Sequence, residues 1–366
     1  MARKLKSDKI LFLATLALIS SSVVMVYSAS AALALERFHR SEFFLFRQVV
    51  WVVAGICLLS IVMQIDYRFF RKPVVIWTAL GVTGMALIAV LFGPEINGTR
   101  RWFGVAGIGV QPSEFVKITV IIFSAALLER RMERINDPSY ALLPIGVVTA
   151  IAAGLILFQP DFGMAFTLVV IVSAMVYTAG ISYRYVFAAI LILCPTFFFV
   201  LTREAYRWRR LVAFFDPWAD PLGDGFQLIQ SLIAVGTGGV FGQGLMSGVQ
   251  KLFYLPEPHT DFIYAVIAEE TGLVGSTLIL VCFVIITWRG LHVTRYAPDR
   301  FGALLALGLT TMVALQAYIN MSVVLGLMPT KGIPLPFVSA GGSSLLVNLL
   351  GMGMLLNISQ YASAET

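Results

Sequence analysis

Apolar runs of roughly 20 residues, the length that crosses a bilayer as a helix, follow one another along almost the whole chain. They lie near residues 10–34, 47–65, 73–93, 112–128, 141–159, 162–180, 184–202, 262–288, 301–326 and 342–360. Lipid supplies no partner for an open sheet edge, and none of these runs alternates as a barrel strand does. They are therefore expected to be helices. Only 13% of the residues are charged and the mean hydropathy is +0.87, whereas soluble domains carry roughly 25% charged residues. The expected fold is an all-α polytopic membrane protein of about ten transmembrane helices. It forms one domain, 1–366, with a large extracytoplasmic loop over 203–261 between spans seven and eight.

Basic residues in the short loops set the orientation. Fourteen lie on one side (Arg3, Lys4, Lys6, Lys9, Arg68, Arg71, Lys72, Arg130, Arg131, Arg134, Arg184, Arg289, Arg295, Arg300) and six on the other (Arg37, Arg40, Arg47, Arg100, Arg101, Lys331). The first side is expected to be cytoplasmic, with both termini inside. The run from Ile10 is long for a signal h-region, so an uncleaved first span is expected. The net charge of +6 serves topology; no basic aromatic patch of nucleic-acid type is present. Cys57, Cys194 and Cys282 lie inside apolar runs without metal or disulfide spacing, as buried small hydrophobes would.

Polar residues collect in the outward loops 94–111, 203–261 and 327–341, which are rich in Gly, Pro and Trp. Asp261 closes Pro256-Glu257-Pro258-His259-Thr260-Asp261 at the start of span eight. Asp in such a place makes an ordinary helix cap. Beside Phe262 and Ile263 it is also desolvated enough to have a raised pKa and to serve as a general base. Glu269 and Glu270 stand two turns deeper, where carboxylates are expensive and either pair with a cation or act in function. Lys331 sits in Pro329-Thr330-Lys331-Gly332-Ile333-Pro334-Leu335-Pro336, too proline-rich for a helix and too apolar for an ordinary wet loop. Ser343 and Ser344 in Gly341-Gly342-Ser343-Ser344 open span ten, where free N–H groups suit a phosphate. Glu114 and Lys117 are spaced to pair within span four. Asp161 is placed to cap span six. Arg203, Arg207, Arg209 and Arg210, interleaved with Tyr206 and Trp208, suit a segment lying at the membrane surface.

His259-Thr260-Asp261-Phe262, Ala268-Glu269-Glu270-Thr271-Gly272, Pro329-Thr330-Lys331-Gly332 and Pro334-Leu335-Pro336-Phe337-Val338-Ser339-Ala340-Gly341-Gly342-Ser343-Ser344 together resemble the SEDS family (shape, elongation, division and sporulation). Arg101-Trp102, Gln111-Pro112-Ser113-Glu114 and Gln159-Pro160-Asp161 fit as well. Two positions depart from the family pattern: Ala340 stands where Tyr is usual, and Phe162-Gly163-Met164 where Leu-Gly-Thr is usual.

The resemblance implies a peptidoglycan glycosyltransferase in the cytoplasmic (inner) membrane, closer to the division branch than the elongation branch. It would polymerise lipid II on undecaprenyl-diphosphate-linked glycan. Asp261 would be its catalytic residue, and Lys331, Arg101, Lys117, Ser343, Ser344, Glu270 and His259 its substrate contacts. The implied partners are a class B penicillin-binding transpeptidase, other divisome proteins and membrane lipids. No particular cofactor is implied; a divalent cation, Mg or Mn, is a candidate for sharing the diphosphate charge, although no metal cage is visible. A lipid II flippase, an elongation-type polymerase and a non-catalytic scaffold are the competing expectations.

Overall fold

The computed structural model describes residues 7–95, 99–105, 108–252 and 254–362. Among them are twelve α-helices: α1 (Lys9–Phe38), α2 (Phe43–Val62), α3 (Pro73–Val90), α4 (Pro112–Arg131), α5 (Leu143–Phe158), α6 (Phe162–Thr178), α7 (Tyr183–Arg203), α8 (Ala205–Phe215), α9 (Phe226–Gly238), α10 (Ile263–Tyr296), α11 (Arg300–Val324) and α12 (Gly342–Ser359). All ten predicted runs are helical. Eight of them are long and apolar enough to cross a bilayer: α1, α2, α3, α5 with the turn before it, α7, α10, α11 and α12. This is a multi-pass membrane protein.

The helix ends follow local chemistry. Asp8, Asp161 and Asp299 cap α1, α6 and α11, accepting N–H bonds from Leu11, Met164 and Gly302. Pro73 and Pro112 open α3 and α4, where a missing N–H costs nothing. A short hairpin, β1 (Phe103–Val105) with β2 (Ile108–Val110), stands before α4 and was not expected from the sequence. The loop 203–261 is structured: α8 and α9 lie within it, and α9 packs on α10 and α11.

α4, α11 and α12 form the buried centre, while no described residue of α7 is buried. Lipid offers little hydrophobic drive between helices, so close approach depends on small residues. Gly351 of α12 rests against Leu309, Met312 and Ile118; Gly308 of α11 rests against Ile121 and Met175. The cysteines depart from expectation. Cys57 and Cys194 are exposed on the outer, lipid-facing surface and Cys282 is half-buried; an apolar medium accepts a thiol there as readily as a core does.

α10 is broken at Gly272, with φ 66° and ψ −161°. The break frees backbone groups that lipid would leave unsatisfied, and the loop after α9 takes them up. Leu273 and Val274 donate to the carbonyls of Gly239 and Val240, while Gln243 and Gly244 donate to those of Glu269 and Glu270. A Cβ at Gly272 would stand 2.4 Å from the Gly242 nitrogen, so glycine is required both for the torsion and for the fit.

Candidate active site

Four helices, α4, α6, α10 and α12, begin at one end of the bundle. Gln111, Asp161, Asp261 and Gly341, at or just before those four starts, all line one cavity of about 930 Å³. Loop 328–341, Arg101 and Trp102, and the α8 side chains Tyr206, Arg207 and Arg210 complete its wall. Helix N-termini carry partial positive charge and free N–H groups, so this convergence favours an anionic ligand.

Asp261 stands where two loops are stitched together. Ala340 N–H donates to the His259 carbonyl (2.9 Å), and Ser339 Oγ donates to the Thr260 carbonyl (2.6 Å) while accepting from Leu335 N–H (2.8 Å). Asn320 Nδ2, from α11, donates to the carbonyls of both Asp261 (2.7 Å) and Ile333 (2.8 Å). The backbone at Asp261 is thus fixed, while its carboxylate is left available. Among the described residues no hydrogen bond reaches that carboxylate, and the residue before α10 makes no side-chain cap. Asp261 is therefore not an ordinary cap. Its side chain keeps one face on the cavity but is otherwise densely enclosed. Burial, reinforced by the negative charges of Glu257 and Asp161, pushes its pKa up to about 7 against the pull of Arg210 and Arg101.

Arg101 binds the turn between α5 and α6. It donates to the carbonyls of Gln159 (2.8 Å) and Pro160 (2.7 Å) and stands 3.6 Å from the Asp161 carboxylate. Gln111 Nε2 donates to the same carboxylate at 3.2 Å. Lys331 also lines the cavity. Burial lowers its pKa to about 8, partly offset by Asp161. Although Gly332 touches Asp261, the Lys331 ammonium turns away toward the rings of Phe162 and Phe166.

The residues expected as site groups divide. Asp261, Arg101, Lys331 and Ser344 meet in the cavity wall; Lys117, Ser343, Glu270 and His259 do not line it. Lys117 is wholly buried behind Glu114, 2.7 Å from its Oε2 but off the line of a well-directed hydrogen bond, and Glu114 alone of the pair reaches the cavity. Ser343 Oγ accepts from Gln111 N–H and donates to the Gly109 carbonyl, tying α12 to the hairpin. Glu270 accepts from Ser28, Met246 N–H and Lys251, with Lys251 Nζ at 2.6 Å. Its neighbour Glu269 accepts from Val249 and Gln250 N–H. These two carboxylates clamp the loop after α9 onto broken α10. His259 is buried against Phe44, with ring centroids 4.6 Å apart, and burial lowers its pKa. Its carbonyl serves the site; its ring faces away.

Asn320, the three phenylalanines Phe162, Phe166 and Phe197, and the inward-facing Arg207 and Arg210 complete the site. Asn320 had a signal, an amide deep in an apolar run, which it shares with Gln316 one turn earlier. Phe162 stood out only within the Phe162-Gly163-Met164 string, and nothing sets Phe166 and Phe197 apart among the chain's 27 phenylalanines. Among the described residues no group of three or more His, Cys, Asp or Glu is placed to hold a metal ion. The arrangement supplies a free carboxylate with a pKa near neutrality, cations and helix N-termini around one cavity. Such a set takes a proton from a hydroxyl while holding an anionic group nearby.

The family model described as cell cycle protein, covering FtsW, RodA and SpoVE, matches residues 8–364. The chain is 43% identical over 355 residues to the "Probable peptidoglycan glycosyltransferase FtsW" of Trichlorobacter lovleyi, covering 96% of this chain and 93% of that one. It is 40% identical to "Stage V sporulation protein E" of Bacillus subtilis, covering 98% and 99%. Among solved structures, the rod shape determining protein RodA of Thermus thermophilus superposes with a TM-score of 0.71 at 26% identity, covering 96% of each chain. A chain from the work described as "Structural coordination of polymerization and crosslinking by a peptidoglycan synthase complex" gives 0.78 at 30% identity, covering 96% and 97%.

Proposed function

The chain belongs to the FtsW/RodA/SpoVE family of cell cycle proteins, and on that premise we propose that it is a peptidoglycan glycosyltransferase that polymerises lipid II. The observation that carries this reading is the unbonded Asp261 carboxylate, with its pKa near 7, at the rim of a cavity into which four helix N-termini open. Relatives named FtsW favour a division role over an elongation role.

In the proposed step, the GlcNAc 4-hydroxyl of the acceptor lipid II attacks the anomeric carbon of the donor MurNAc. The new glycosidic C–O bond forms as the bond to undecaprenyl diphosphate breaks. Asp261 takes the hydroxyl proton, help worth roughly 10²–10⁴-fold. The leaving diphosphate gathers negative charge, which Lys331, Arg210 and Arg207 face across the cavity. Arg101 does a different job: with its hydrogen bonds spent on Gln159 and Pro160 it positions Asp161 and the start of α6. The N-terminal dipoles of α4, α6, α10 and α12 add fixed positive potential.

The cavity end is assigned to the outer face of the cytoplasmic membrane and both termini to the cytoplasm, from the basic loop residues. Residues 203–261 then form the large extracytoplasmic loop of a single 1–366 domain. A class B penicillin-binding transpeptidase is the proposed partner, given the likeness to a chain of a synthase complex. A flippase would need intramembrane charges along a path. Lys117, Glu269 and Glu270 are instead engaged in local pairs and backbone bonds. Reconstituted vesicles carrying labelled lipid II and the transpeptidase partner test the reading. Glycan polymer made from lipid II of the outer leaflet supports it; translocated but unpolymerised lipid II overturns it.

A further inference from the structure

Lys331 is half-buried beneath aromatic rings and among the described residues makes neither an ion pair nor a side-chain hydrogen bond. Burying an ammonium without a partner is costly, and a lysine so placed is expected to lose its proton. What surrounds it is aromatic. Nζ lies 4.7 Å from the ring centroid of Phe162, 4.5 Å from that of Phe166 and 5.9 Å from that of Phe197. The rings also pack on one another, Phe197 lying 4.8 Å from Phe162 and 5.4 Å from Phe166 between centroids. Phe162 and Phe166 come from α6 and Phe197 from α7. The Phe162 ring also carries the Arg207 guanidinium at 5.6 Å, so one ring organises two cations of the cavity.

We propose that Phe162, Phe166 and Phe197 are positioning residues for Lys331: their ring faces form a cation–π box that holds the ammonium charged and fixes where it stands in the cavity. Ring faces attract a cation through their quadrupole, and the attraction grows where water is excluded. Leucine keeps the site dry but removes that attraction. A small polar residue removes the attraction too, but lets water solvate the charge. The two kinds of substitution therefore move the Lys331 pKa in opposite directions, which a merely structural role would not do. Charged groups facing this region are Asp161, Asp261, Glu257 and Glu114 on the acidic side and Arg101, Arg207 and Arg210 on the basic side. All stay in place in the variants below.

The inference builds on Lys331 as a diphosphate-facing cation, so the test reads the lysine directly. The full-length protein in nanodiscs is acylated with an amine-specific reagent across a pH series, and modification of Lys331 is quantified by mass spectrometry. Phe162→Leu and Phe166→Leu are expected to lower the Lys331 labelling pKa by about 0.5 pH unit or more, and Phe197→Ser to raise it. Phe162→Tyr retains a ring face and should label like the wild type. Thermal unfolding midpoints identify the variants that remain folded, and the leucine pair serves if the serine variant does not. Leucine variants whose labelling pKa is unchanged or raised would overturn the box, whatever the polymerisation assay gives. The expected labelling shifts, together with full polymerisation by Lys331→Ala, would leave the box standing and sink the diphosphate role.

Discussion

Gly332 is the position where the smallest change reaches the proposed base. A Cβ added there would lie 2.8 Å from Asp261 Oδ2 and 3.6 Å from its Cγ. Comfortable carbon–oxygen contacts begin near ~3.3 Å, so the carboxylate or the loop has to give by roughly 0.5 Å. The loop is held by Asn320 and Ser339, whereas among the described residues the carboxylate has no hydrogen bond to keep it in place. The carboxylate is what moves. A displacement of about 1 Å at a reacting group costs roughly 10²-fold, so half that distance should cost about 10-fold in kcat, or ~1.4 kcal/mol of barrier. Gly332 has no left-handed backbone, so Gly332→Ala adds no torsional strain and should fold normally. Initial rates of lipid II polymerisation across substrate concentrations separate kcat from KM. A variant with wild-type kcat, made from correctly folded protein, would refute the placement of Asp261 as the group that takes the proton.

Other outcomes follow from the same geometry. Asp261 must be ionised to accept a proton, so kcat/KM should rise with pH through about 7, then fall above about 8 as Lys331 loses its charge. Because Glu257 raises the Asp261 pKa, Glu257→Gln should move the acid limb, read from rates between pH 5 and 9 as an order-of-magnitude range around those values, to lower pH; an unmoved limb would contradict the electrostatic account. Lys251→Met leaves the Glu270 carboxylate buried without its 2.6 Å cation. It should cost about 3–5 kcal/mol of stability, seen as a lowered unfolding midpoint in detergent. Unchanged stability would mean that the clamp on broken α10 is held by the backbone bonds alone.

The helices were legible because bilayer thickness imposes a length that any apolar run announces, and Asp161 could be recognised as a cap from its place before an apolar run. Asp261 was legible for a different reason. A carboxylate at the edge of a span is expensive enough to need an explanation, and its two candidate roles, cap and base, differ in one observable, the presence of a bond to the helix N–H groups. The break in α10 was hidden because glycine is common in membrane helices and only its torsion angles distinguish a kink from close packing. His259 and Ser343 misled by adjacency. Each neighbours a residue that lines the cavity, but the turn of the chain sends its own side chain to the other side. The Lys331 box was invisible because its rings, on the consecutive helices α6 and α7, lie far from Lys331 in sequence, and Phe166 and Phe197 resemble every other phenylalanine in a chain rich in them. The hairpin before α4 was too short to leave a period.

The central claim is that the Asp261 carboxylate accepts the acceptor's proton. Polymerisation rates of wild type, Asp261→Asn and Asp261→Ala, measured on the same lipid II at pH 7.5, the order of the working range set by a base titrating near neutrality, test it most directly. The account predicts that both variants bind lipid II and keep the wild-type unfolding midpoint but lose roughly 10²-fold or more of the rate. An Asn variant that polymerises within a few-fold of wild type would contradict it.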